Sequence, residues 1–266
     1  MRKLLLPLLF VVVAVISLQS AAAHDSHVLA ADSESSGLVA DRPVLVELFT
    51  SESCASCPPA EQNLAYLQTE QPYAGADIIT LAFHVDYRDV PGWKDPFASP
   101  LFTQRQQVYD RKFRTGNIYT PQMVVDGETE FIGSKLEKAE SAINKSLKND
   151  KGRVALNVAG DKLEIRISAL PEIEFATVYL AYAEDGLTSS VRGGENAGKT
   201  LSHVSVVRSL NGIGMIEPGQ RAFELDTVLN IGAEWDREKL KAVVFVQENH
   251  TRKIFAVGSE PLSVPQ

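Results

Sequence analysis

A short apolar run at 44–49, VLVELF, is followed within a few residues by Cys54-Ala55-Ser56-Cys57-Pro58-Pro59, and this juxtaposition limits the fold more than any other stretch. The apolar run predicts a buried strand. Pro58 and Pro59 have no amide hydrogen, so they suit a first helical turn, where no intrahelical donor is needed. A strand must therefore end, and a helix begin, on either side of the two cysteines. Two intervening residues let the sulfurs meet across one turn. The pair can then serve as a redox centre, a metal clip or a structural bridge.

The segments that follow extend this pattern. Leu64 and Leu67 continue a helix over 61–68, and IITLAFHV at 78–85 predicts a second strand. A Pro- and Gly-containing loop at 88–100 leads to a helix over 101–113. Strands are expected at 123–125 and 130–132, joined by the hairpin signal Asp126-Gly127. A last helix is expected over 135–147, with Ser134 as its cap and Glu137 at the capping-box position. This β-α-β-α-β-β-α order is that of a thioredoxin fold, placed at 42–150. After the turn at 149–152 the pattern changes to short strands, among them alternating runs at 154–158 and 163–167. The expected fold is an α/β thioredoxin-like domain followed by an all-β sandwich-like domain at 151–266.

Residues 1–23 carry Arg2-Lys3, an apolar stretch and a closing Ala21-Ala22-Ala23, which is the pattern of a cleaved signal peptide. The apolar stretch falls short of the ~20 residues of a membrane span. Residues 24–41 read as a flexible, polar lead-in. The expectation is an exported chain, periplasmic or secreted, free of the membrane after cleavage. With 266 residues and a net charge of −8, the chain is acidic, which disfavours nucleic acid as a partner.

In an oxidising compartment disulfides are common staples. Closing a four-residue loop, however, contributes only about 2 kcal/mol. A helix N-terminus at the pair favours a thiolate. Cys54 is thus the candidate nucleophile and Cys57 the resolving cysteine. Thr120-Pro121 immediately precedes the third strand, where a cis-proline is expected to face the redox pair and leave the Thr120 backbone free for a substrate segment. His84 and Asp86 end the second strand, the edge where sites form in open α/β sheets. His84 can act as a proton shuttle, complete a Cys-Cys-His copper site, or be a hydrogen-bonded structural residue. Trp93 and Phe97 can rim a substrate site or pack beneath their loop. RGGENAGKT at 192–200 lacks P-loop spacing and reads as a tight loop between strands.

The segments VELFTSESCASCPPAEQNL, FHVDYRDVPGWKDPFASPLFTQRQ, YTPQMVVDG and RGGENAGKTLSHVSVVRSL, in this order, resemble the secreted bacterial family called domain of unknown function 1223. The resemblance spans about 42–258. It implies membership of the thioredoxin-like superfamily and a periplasmic location. It also draws attention to Glu195, Asn196 and His203, which match its motif and are expected to order a domain interface near the cysteines. The leading expectation is a thiol-disulfide oxidoreductase acting on protein or peptide thiols, with an unidentified redox partner and no cofactor beyond Cys54-Cys57. The alternatives are a binding or assembly protein with an idle disulfide, and a copper-handling protein using both cysteines and His84.

Overall fold

The computed structural model describes residues 42–263. The signal peptide expected at 1–23 and the lead-in at 24–41 lie outside the described residues. The N-terminal half contains β1 (Arg42–Thr50), α1 (Pro58–Glu70), β2 (Ala76–His84), α2 (Pro100–Phe113), β3 (Gln122–Val125), β4 (Thr129–Ile132) and α3 (Leu136–Ser146). Each element forms where the apolar pattern places it. The β3–β4 turn has Asp126 at φ 48° and Gly127 at φ 63°, the left-handed pair of a tight hairpin. One local expectation fails. Lys135, not Ser134, stands at the N-cap of α3, without a side-chain capping bond.

The C-terminal half continues with β5 (Arg153–Ala159), β6 (Lys162–Ser168), β7 (Ala176–Glu184), β8 (Leu187–Ser190), β9 (Thr200–His203), β10 (Val206–Ile216), β11 (Phe223–Val228), β12 (Leu240–Glu248) and β13 (Ile254–Pro261). The expected α/β thioredoxin-like domain followed by a β-sandwich is not what these strands build. They join the first half in one mixed eight-stranded sheet, ordered β13-β12-β7-β10-β2-β1-β3-β4. The outer edge of β2 is not free. It takes β10, with Val206 opposite Ala82 and the Ala82 amide donating to the Ser205 carbonyl at 2.8 Å. The physical reason lies in β7 and β12, which are buried along nearly their whole length. Strands apolar on both sides belong inside a sheet covered on both faces. A two-layer sandwich asks only for alternation.

Three layers result. The alternating strands β5, β6 and β11 form a separate three-stranded sheet. Leu163, Ile165 and Ile167 from it pack with Val178, Leu180 and Val244 of the large sheet. Helices α1 and α3 pack with Val44, Val46 and Leu48. Helix α2 places Phe102 and Tyr109 in a third core that runs from Leu45 and Phe83 to Ala181 and Phe245. That core crosses the line between the halves, so helix α2 binds both of them.

Candidate functional site

The cysteines sit where β1 ends and α1 begins. Cys57 is the N-cap of α1, with prolines in the first turn. Its carbonyl accepts from the amides of Ala60 (2.9 Å) and Glu61 (3.1 Å), and its own amide donates to the Cys54 carbonyl at 3.1 Å. Cys54 and Cys57 are joined by a disulfide. Both are fully buried, while Ala55 and Ser56 between them are exposed. The Ser56 hydroxyl lies 3.4 Å from Cys54 Sγ.

The β1–β3 register sets Phe49 opposite Gln122, which brings Thr120-Pro121 alongside the end of β1. The Thr120–Pro121 peptide is cis. The Pro121 carbonyl accepts from the Gly133 amide at 3.0 Å. A Cβ on Gly133 would lie 2.8 Å from Leu48 Cδ1 and 3.0 Å from Ala60 Cβ, so this bare position lets the turn close on β1 and α1. The Thr120 hydroxyl accepts from Arg88 Nε at 3.0 Å.

A loop covers the cysteine segment. It connects β8 to β9 and carries Glu195 and Asn196. The Asn196 side-chain amide donates to the carbonyls of Glu52 (2.8 Å) and Cys54 (2.9 Å). Glu195 accepts the Ala55 amide at 2.9 Å. Gly194, at φ +74°, approaches so closely that a Cβ there would be 2.7 Å from Ser53 Cβ. Trp93 is half-buried, abuts Gly193, and donates its indole N–H to Glu52 at 3.1 Å.

Beneath this cover lies a buried ionisable cluster. Glu52 and Glu61 come from the cysteine segment itself, His84 from the end of β2, Asp95 from the following loop and His203 from β9. His203 Nδ1 is 2.6 Å from Glu61 Oε2, and the Thr50 hydroxyl donates to Glu61 Oε1 at 2.6 Å. His84 Nδ1 is 2.8 Å from Asp95 Oδ2, which also accepts the Glu52 amide at 2.9 Å. The two imidazoles are 5.0 Å apart, and Phe97 packs edge-on against both.

Burial alone would push His203 down, but the hydrogen bonds and charges of Glu52 and Glu61 outweigh it and raise it to about 10. Burial likewise favours protonated carboxyls, yet His203 holds Glu61 below its usual range, and His84 does the same for Asp95. The His203 charge therefore stabilises the fold fully below its unfolded value of 6.5, and this stabilisation is lost as pH rises through about 10. In chelator-treated protein, urea midpoints for wild type and His203→Gln should converge between those limits. The expected difference is on the order of a few kcal/mol. Parallel pH profiles would show that His203 carries no such charge.

The structure thus gathers Cys54, Cys57, Trp93, Glu195, Asn196, His84 and His203 in one region, with Thr120-Pro121 beside it. Asp86 does not join the cluster. It pairs with Thr103, whose hydroxyl donates to it at 2.5 Å. Nor do the sulfurs join His84 as a ligand group. The side chains that converge with it are Glu61 and His203. Sequence reading missed Glu52, Glu61 and Asp95. For Glu61 a signal existed, since it follows Cys57 by four residues and shares the helix face of Ala60 and Leu64. A concavity of about 880 Å³, lined in part by Arg42, Asn149 and Arg221, lies at the opposite end of β1 and includes none of these residues.

No curated protein matches the chain. Among solved structures it is similar to protein AGR_C_4864 from Agrobacterium tumefaciens, at 27% identity and a TM-score of 0.69, over 84% of this chain and 96% of that one. It also shares its fold with HBP35 of Porphyromonas gingivalis, at 14% identity and a TM-score of 0.61, over 85% of this chain and 79% of that one. Residues 45–247 match the family described as protein of unknown function DUF1223, a span that holds both cysteines, the covering loop and the whole buried cluster. The chain belongs to the DUF1223 family.

Proposed function

We propose that the chain is an exported thiol-disulfide oxidoreductase that exchanges electrons with protein or peptide thiols through Cys54-Cys57. One observation carries this reading: the disulfide is flanked in the chain by Glu52 and Glu61, two buried carboxylates of an ionisable cluster. A short staple draws nothing from such a cluster, whereas a pair that gains and loses charge does. Export to an oxidising compartment agrees with a closed disulfide.

In the oxidising direction a substrate thiolate attacks Cys54 Sγ, and the Cys54–Cys57 bond breaks. Cys57 leaves as a thiolate at the N-terminus of α1, where the helix dipole favours the charge. A second substrate thiolate then attacks the substrate sulfur of the mixed disulfide and releases Cys54. Two electrons have passed to the chain, and a redox partner of the same chemical class removes them. The reverse sequence reduces a substrate disulfide. The substrate backbone lies along Thr120-Pro121, with Trp93 at the margin.

Both sulfurs are buried, so exchange requires the loop bearing Glu195 and Asn196 to lift. Asn196→Ala removes both of its bonds to the cysteine segment. Wild type should turn over a model dithiol peptide, monitored by thiol titration, and Asn196→Ala should reduce with dithiothreitol several-fold faster. Its stability should fall by about 1–3 kcal/mol through the carbonyls left unpaired. No turnover by wild type under either reducing or oxidising poise would sink the reading.

A further inference from the structure

We propose that Glu61, His84 and His203 form a buried site for a divalent first-row transition ion of the zinc class. The orientation of the imidazoles carries the inference. Each has its Nδ1 held by a carboxylate, Asp95 for His84 and Glu61 for His203. For His84 this is the outer support that fixes a metal-binding histidine and leaves Nε2 as the ligand, whereas Glu61 beside His203 is itself one of the converging donors. Both Nε2 atoms are buried and lack a hydrogen-bond partner, as does Glu52 Oε1. Glu52 Oε1 lies 3.3 Å from His203 Nε2 as an ion pair, so of these three atoms His84 Nε2 is the one left without a partner. An unpaired buried polar atom is costly and rare, and His84 Nε2 is one, pointing to a missing partner beside Glu61 and His203.

The spacing suits an ion. Ligand atoms of Glu61, His84 and His203 lie within 4.8 Å of one another. Bonds of about 2.1 Å in a tetrahedron put ligand atoms roughly 3.4 Å apart, so modest side-chain adjustment closes the shell. Charge points the same way. Three buried carboxylates, Glu52, Glu61 and Asp95, face two imidazoles here, so the cluster favours a further cation. Imidazole and carboxylate donors without thiolate select the zinc class rather than a soft monovalent ion. The ion competes with the imidazole proton, so its binding releases protons and weakens toward low pH. The site does not depend on turnover of the disulfide.

The test is metal titration of the chelator-stripped full chain with Zn²⁺ by calorimetry, and with Co²⁺ by its visible absorption. Wild type should bind one equivalent and give the intense Co²⁺ bands of a tetrahedral site. His84→Ala and His203→Ala should abolish binding. Because either can perturb folding, Asp95→Asn provides a near-isosteric control and should weaken binding about 10- to 100-fold. A Cys54→Ser, Cys57→Ser double variant should bind as wild type does. Absence of binding by wild type overturns the proposal. So does binding that survives both histidine variants, or that disappears with the cysteines.

Discussion

Replacing Cys57 by alanine is expected to convert the chain into a trap, holding substrate proteins as mixed disulfides through Cys54 that dithiothreitol releases. In wild type the resolving thiol is tethered three residues away, on the other side of one turn. Tethering makes resolution effectively unimolecular, and its loss slows that step by orders of magnitude. Cys54→Ala should trap far less. Cys54 is the sulfur beside the exposed Ala55-Ser56 segment, with the Ser56 hydroxyl 3.4 Å from it. Cys57 is instead drawn into the helix start, its carbonyl engaged by the amides of Ala60 and Glu61. The measurement is non-reducing gel electrophoresis of each variant after incubation with disulfide-bearing model protein. Equal trapping by both variants, or none by either, would contradict the assignment of Cys54 as nucleophile.

The local elements were legible because each rests on near neighbours. VLVELF is a strand by its own composition, Pro58 and Pro59 fix the start of α1, and Asp126-Gly127 closes a hairpin. The joining of the halves was not legible, because it rests on pairing across more than a hundred residues. Val206 against Ala82 leaves no mark in either segment. The continuous apolar run of β12 did carry a hint, since burial of both faces implies a covered sheet. The same distinction holds for the site. Cys54, Cys57, Thr120, Pro121 and His84 were visible as motifs or strand ends. The partner of His84 is Asp95, which reads in sequence as one more polar residue of a proline-rich loop. Asn196 reaches the cysteine segment, and His203 reaches Glu61 of α1, through the β8–β9 hairpin and its loop.

Arg105→Met is expected to be the most destabilising single change outside the site, and its unfolding behaviour tests the continuous sheet directly. Arg105 projects from α2 into the core shared by both halves. Its Nε is 2.6 Å from Glu47 Oε1 of β1, and its Nη1 donates to Gln247 Oε1 of β12 at 3.1 Å. Its guanidinium lies over Phe83 and Tyr109 on one side of the division and over Tyr179 and Phe245 on the other, all within 5.5 Å of the ring centres. Glu47 keeps it charged against the opposing effect of burial. Removing the cation leaves Glu47 buried with no counter-charge, a loss of about 3–5 kcal/mol. Glu47→Gln combined with Arg105→Met should recover part of it, because the stranded charge is gone. The two tryptophans supply separate reporters, Trp93 where the first half meets Gly193 of the covering loop and Trp235 within the second half. In a single sheet bound by α2, the Trp93→Phe and Trp235→Phe backgrounds should give coincident denaturant midpoints, both shifted equally by Arg105→Met. Separate midpoints, with only one half responding, would mean that the narrow β2–β10 contact does not make the halves fold as one.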